Sequence, residues 1–389
     1  MTALFDAPEL APIVLCERND AGWRGLTADG ELYNVDAANI PERLCISNRH
    51  GAPVGYHALP KELTPAGTID AYLAHFDRAR HLMFANNPTA ALPEIDRALD
   101  LAATTRAHFN RAMILLGLGR WREGLDVYER CERTPPFMRP NRRDALACGL
   151  KPWQGQRLAH KHLLLTHDHG FGDTIMCLRF VPMLRRMGAE VTLMVPPELT
   201  RLAAQCGEVT DMLIEADYFC SFLHLLTMLK ISPDTVPLDP YLTVDPGLVD
   251  KWRARIGRPA TGVAWSVGVR YDGDYPRSIS LAELTSRIGR ERTFVSVQQQ
   301  GAAEADALGV ANFRFEDFAD CAALMSLLDE IVTVDTAALH LAGAIGHPNI
   351  TALLSHWASW RWLSPWYRNL KICRQQTAGD WASAQCEAS

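Results

Sequence analysis

The run Val332-Thr333-Val334-Asp335-Thr336-Ala337-Ala338-Leu339-His340-Leu341-Ala342-Gly343-Ala344 is β-branched at its start, ends that stretch in Asp-Thr, and opens at once into an alanine-rich helical segment. In α/β proteins ligands gather where strands end and helices begin. The unpaired N–H groups and positive dipole end of such a helix suit a phosphate. Thr336 and His340 lie four apart, so a helix sets both on one face. The chemistry on offer is anion binding. The plainer reading is an N-cap ahead of a well-packed helix, with His340 a satisfied polar residue.

Proton transfer has its own candidates. His167-Asp168-His169-Gly170-Phe171-Gly172-Asp173-Thr174 lies between a strand and a helix. Gly170 and Gly172 permit close backbone approach, and Asp173 opens the helix, either as an N-cap or as a carboxylate placed for general-base work. His167 and His169 flank Asp168, but no third ligand stands at a convincing metal spacing. A third stretch, Trp265 to Ser280, mixes Ser266, glycines and the arginines Arg270 and Arg277. An arginine fork matches phosphate oxygens; alone, the stretch reads as a surface loop with solvated arginines.

The elements that must position these residues follow from pattern. With 389 residues the chain is long for one core and implies two to four domains. A net charge of −6 gives no global attraction to nucleic acid or to an anionic membrane. No run approaches the ~20 apolar residues of a membrane span, and the start lacks a leader pattern. Ten cysteines are scattered without a CxxC pair, which reads as reduced, mostly buried thiols in a cytoplasmic protein.

Residues 1–65 read as short β-like pieces, Ile13–Cys16 and Ala28–Val35, with a turn signal at Asp29-Gly30. Residues 66–152 are helical with a period of 33: Ala79, Leu82, Asn86, Ala91, Leu92, Ile95 and Ala98 correspond to Ala112, Leu115, Gly119, Gly124, Leu125, Tyr128 and Cys131. Stacked helix pairs of this kind need neighbours to bury their faces. This resembles the tetratricopeptide repeat, with Ala112, Leu115, Gly119, Gly124, Tyr128 and Pro136 at signature spacing. A helical spacer and a peptide-binding groove are both open readings.

From residue 153 strands and helices alternate, the mark of a parallel sheet. Strands are expected at His162–Thr166, Glu190–Val195 and Met212–Ile214, with a helix from Asp173 to Met187 and a linker helix over Leu248–Ile256. A second series places strands at Gly262–Ser266, Thr293–Val297, Ile331–Val334 and Ile350–Leu354. The fold class is α/β: two Rossmann-like domains, 153–258 and 259–389, behind a helical repeat region and a small β-rich segment, with a ligand in the cleft between them.

The order of these loops, with Asp317 to Leu324, Ser296-Val297-Gln298, Trp360-Arg361-Trp362-Leu363, Ser364-Pro365-Trp366-Tyr367 and Arg374-Gln375, resembles the heptosyltransferase-type glycosyltransferases (family 9, GT-B fold), above all bacterial members with N-terminal tetratricopeptide repeats. That resemblance implies a metal-independent, inverting transfer of a sugar from a nucleotide diphosphate to an acceptor hydroxyl on a protein or glycan. It implies no cofactor, while charge and hydropathy lead to the expectation of no nucleic acid and no membrane span. Asp173 would be the base, with His169, Gly170 and Gly172 on the acceptor side. Arg277 stands where the family places a phosphate-binding lysine. Ser266, Arg270, Gln298, Thr336 and the backbone at Ala337 would serve the donor, and Asp335 and His340 would touch its sugar or nucleotide. Three departures are His167-Asp168-His169 ahead of the glycine loop, arginine in place of lysine, which differ in geometry, and a shorter stretch between Trp362-Leu363 and Ser364-Pro365, at the outer wall of the donor pocket. The alternative from another class is a non-catalytic scaffold built on the helical repeats and a degenerate α/β half; a GT-B-like epimerase would need further paired acids and bases.

Overall fold

The computed structural model describes residues 10–19, 22–35, 43–47, 53–58, 63–134, 137–256, 259–267, 277–289, 291–364 and 366–386. Arg270 and Pro136 therefore lie outside the described residues. The chain divides into two compact units, 1–138 and 139–389.

The first unit begins with strands β1 (Ile13–Asn19), β2 (Gly22–Thr27) and β3 (Leu32–Val35), an antiparallel three-stranded sheet, and the hairpin β4 (Arg43–Ser47) and β5 (Pro53–Ala58). The turn signal at Asp29-Gly30 falls in the turn of residues 28–30 between β2 and β3, where Gly30 has a positive φ of 94°, and the strand that follows is β3. Helices α1 (Thr68–Phe84), α2 (Pro88–Leu101), α3 (Thr105–Gly117) and α4 (Trp121–Cys131) follow. Small residues sit where helices meet: a methyl on Gly124 would lie 2.7 Å from Leu116 and 3.1 Å from the Ala112 carbonyl. Buried Ala79, Ala91, Ile95, Ala98 and Ala107 join Tyr72 and Phe76 in one core, and shedding that apolar area stabilises the unit at roughly 25 cal/mol per Å².

The second unit opens with α5 (Pro140–Ala147) and holds two mainly parallel sheets. In the first, β6 (Lys161–Thr166), β7 (Ala189–Met194), β8 (Glu208–Thr210) and β9 (Tyr218–Ser221) lie in the order β8-β7-β6-β9, interleaved with α6 (Phe171–Leu178), α7 (Val181–Arg186) and α8 (Pro197–Ala203). Met212–Ile214 is not a strand, since the ladder uses the residues on either side of it. The helix expected over Asp173–Met187 is two helices. Pro182 cannot donate an intrahelical N–H, and the break falls just before it at Arg179 and Phe180.

Helices α9 (Leu225–Met228) and α10 (Pro246–Arg253) lead to the second sheet. Its strands are β10 (Thr261–Ala264), β11 (Phe294–Ser296), β12 (Glu330–Val334), β13 (Ile350–Leu354), β14 (Leu370–Arg374) and β15 (Gln385–Cys386), in the order β11-β10-β12-β13-β14-β15. All pair in parallel except the edge strand β15. Helices α11 (Leu281–Ile288), α12 (Ala302–Ala307), α13 (Phe318–Met325) and α14 (Ala337–Ala344) connect them. The unit is thus mixed α/β with parallel sheets. Among the described residues no helix is long and apolar enough to cross a membrane.

The expectation for the cysteines fails as well. The cysteines do not all remain thiols: Cys373 and Cys386 form a disulfide. The antiparallel register of β14 and β15 sets the two directly opposite one another, a proximity that a gap of 13 residues does not advertise.

Candidate active site

Each sheet has one topological switch point, where successive connections leave in opposite directions. In the first sheet β6 is followed by β7 on one side, while β9 closes on the other. In the second β10 is followed by β11 on one side and β12 takes the other. Crevices open beyond the carboxyl ends of the strands at such points. The His167–Gly172 loop leaves β6; Trp265-Ser266 and Asp335-Thr336 leave β10 and β12. Topology therefore sets these loops beyond the carboxyl ends of the strands in both sheets.

Helices α6 and α14 pack against one another. Gly172 is the contact: a methyl there would lie 2.7 Å from His340 Cδ2 and 3.4 Å from the Ala337 Cα. Asp173 and the N-terminus of α14 are consequently neighbours. Gly170 does something different. A methyl on it would meet open space, so it leaves room in front of the loop.

Asp173, in the first turn of α6, pairs with Arg361 on the 3-10 turn Trp360–Leu363. Arg361 Nε donates to Asp173 Oδ1 at 2.7 Å, and Arg361 Nη2 lies 2.6 Å from the same oxygen. Burial by itself would raise the carboxyl. The Arg361 guanidinium, with His169 and His340, outweighs it and holds Asp173 below the ordinary carboxylate range. His169 also approaches Ser221 at the end of β9, Nδ1 to Oγ 3.5 Å.

His340 is buried inside α14. Its Nδ1 bonds the Tyr367 hydroxyl at 2.9 Å, and its ring centroid is 4.6 Å from that of Trp362. Burial pushes its pKa down to about 4 against the pull of Asp173 and Asp335, so the ring is neutral at pH 7. Gly343 makes this arrangement possible, since a methyl there would strike the Tyr367 ring at 2.2 Å.

The N-terminus of α14 is open. Thr336 is its N-cap residue, yet its side chain caps no N–H. Thr333 Oγ1 donates to the Val334 carbonyl at 2.8 Å, so at 2.9 Å the Thr336 hydroxyl is the donor to Thr333. The backbone N–H groups of Ala337 and Ala338 have no partner among the described residues. Asp335 Oδ2 accepts from Arg277 Nη1 at 3.0 Å. Arg277 thus stands beside the open helix end through its bond to Asp335.

Ser266 and Gln298 are committed to one another. Gln298 Oε1 accepts from the N–H of Trp265 (2.8 Å) and of Ser266 (3.1 Å), and Nε2 donates to Ser266 Oγ (3.0 Å) and to the Gln300 carbonyl (2.7 Å). Gln298 shapes the end of β10 and has little bonding capacity left for a ligand. Arg361, Trp362 and Tyr367 were not singled out by residue chemistry. The signal was a cation set between two tryptophans, Trp360-Arg361-Trp362. Among the described residues no cluster of three or more His, Cys, Asp or Glu side chains could hold a metal ion.

No family model matches the chain. It is 26% identical over 363 residues to Protein FlbA of Caulobacter vibrioides, an alignment spanning 79% of this chain and 59% of that protein. The chain thus covers about three fifths of the length of that relative. Among solved structures it is similar to a glycosyl transferase family 9 protein of Veillonella parvula (12% identity, TM-score 0.42, 57% of this chain and 88% of the other). It is also similar to the ADP-heptose LPS heptosyltransferase II of E. coli (14%, TM-score 0.39, 54% and 89%).

Proposed function

We propose that the chain is an inverting, metal-independent glycosyltransferase that moves a sugar from a nucleotide-diphosphate donor to an acceptor hydroxyl. The observation that carries this reading is the contact of Gly172 with His340 and Ala337, which sets a carboxylate beside an open helix N-terminus with an arginine at hand. On this reading the two sheets belong to GT-B-type domains, 153–258 for the acceptor and 259–389 for the donor. The helices of 66–152 form tetratricopeptide-like repeats that present a protein or glycan acceptor.

Chemically, the acceptor hydroxyl gives its proton to Asp173 as its oxygen bonds the anomeric carbon. The bond from that carbon to the diphosphate breaks, and its electron pair leaves with the phosphate oxygen. Attack from the face opposite the leaving group inverts the centre. The leaving diphosphate gains charge in the transition state, so fixed N–H donors at Ala337 and Ala338 and the Arg277 guanidinium stabilise it selectively. Asp335 holds Arg277 until the phosphates compete for it. Because the Thr336 hydroxyl is already used as a donor, the backbone of α14, not that side chain, supplies the anion contacts.

The test is a thermal-shift panel of UDP, GDP, ADP and dTDP and their sugars, with and without EDTA. A ligand that binds only the folded chain raises its stability by about 2.7 kcal/mol at a hundredfold excess over Kd. One diphosphate is expected to raise Tm in a concentration-dependent way, with EDTA making no difference. No shift with any of them favours the scaffold reading.

A further inference from the structure

We propose that Arg361 is the positioning residue for the Asp173 base: it grips one carboxylate oxygen with two nitrogens and leaves the other turned to the acceptor hydroxyl. This rests on the reading above that Asp173 takes the proton. Both Arg361 contacts, at 2.7 and 2.6 Å, fall on Oδ1. Asp173 Oδ2 has no partner among the described residues, and the side chain retains 18% of its exposure. One oxygen is anchored and the other is reachable.

Arg361 is itself held. Its Nη1 donates to Ser359 Oγ at 3.2 Å, and its guanidinium carbon lies 4.7 Å from the centroid of the Trp360 ring. Trp360 and Trp362 are buried, and Trp362 packs on His340. Three nitrogens and a stacking face are engaged together, which a lysine ammonium does not reproduce. During transfer the acceptor O–H bond breaks and its proton passes to Oδ2 while Oδ1 keeps its place. The protonated acid, no longer an anion beside Arg361, releases the proton to solvent once the product has left.

A rival role exists. Arg361 and Asp173 lie 188 residues apart in sequence, so the pair would also serve as a simple strap between two segments. A strap contributes to stability and leaves the timing of proton uptake alone. The experiment must therefore read a titration.

In the full chain, the Asp173 carboxyl carbon is followed by 13C NMR against pH, assigned by its loss in Asp173→Asn, for wild type, Arg361→Gln and Arg361→Lys. Loss of the adjacent cation is expected to raise the midpoint by ~1 unit or more in Arg361→Gln, with Arg361→Lys between. In donor hydrolysis or transfer, the acid limb of kcat/KM moves up alongside, kcat falls ~10–100-fold from misplacement, and diphosphate affinity stays within ~2-fold. A folded Arg361→Gln protein whose midpoint and acid limb do not move overturns the proposal. Should that variant not fold, Arg361→Lys decides: wild-type kcat and midpoint there overturn it. Retained turnover in Asp173→Asn sinks the base assignment instead, while the titration still reports the grip.

Discussion

At the end of β6 the chain runs through a histidine- and glycine-containing loop into α6, whose first turn carries Asp173; at the end of β12 it runs through Asp335-Thr336 into α14, whose first turn carries no acid. Both helices begin at a switch point and neither has a side-chain cap. In α6 a carboxylate already sits by the positive helix end and is tied to an arginine. In α14 the one polar side chain available turns back to Thr333 and leaves two N–H groups open. On the proposed reading, similar junctions, finished differently, divide the labour: one supplies a base, the other a receptor for negative charge.

The largest expected effect breaks the first junction. Asp173→Asn keeps the shape and removes the proposed base, so kcat should fall ~10²–10⁴-fold while diphosphate affinity in a thermal-shift or calorimetric titration hardly changes. Equal losses in binding and turnover would assign Asp173 to the receptor side. The second junction is broken by Arg277→Ala, expected to weaken diphosphate binding ~10–100-fold and to lessen its salt dependence.

The pH dependence of stability sharpens the contrast. The His340 pKa is about 4 when folded against an ordinary 6.5. Between those values the unfolded chain binds a proton that the folded chain refuses, so stability rises with pH across that window and levels outside it. The share from one such group is about 3 kcal/mol. His340→Asn should flatten the pH dependence of the unfolding free energy, from urea titrations between pH 4 and 6.5, by that amount; an unchanged slope would mean the ring is not held neutral. Gly172→Ala tests the seam itself, where overpacking costs ~1–3 kcal/mol and kcat should fall with stability. The smallest effect is a count: thiol titration of the denatured, unreduced protein should find two fewer groups than after reduction, because Cys373 and Cys386 are joined.

Much of this was legible in the sequence because the signals are local. A β-branched run stopping at Asp335-Thr336 marked β12 and α14, and alternation after residue 153 marked the parallel sheets. Local signals also misled. Met212–Ile214 is apolar enough for a strand, but the sheet pairs with residues beside it, since register is a property of the neighbours. The grip of Arg361 on Asp173 joins distant stretches, and no periodicity encodes such a meeting. Nor could the sequence say that Gln298 would spend its amide on Trp265 and Ser266, or that the Thr336 hydroxyl would face away from its own helix.

The disulfide reaches further than its own strand pair. Between its two sulfurs the chain passes Trp381, whose indole N–H donates to the Ser278 carbonyl at 3.2 Å, next to Arg277. Arg287 holds the same stretch from α11 through the Trp381 and Ala384 carbonyls. Oxidised and reduced preparations are therefore two different reagents: one leashes the neighbourhood of the guanidinium by a covalent ring, the other by hydrogen bonds alone, and an affinity measured on either should be reported with its redox buffer.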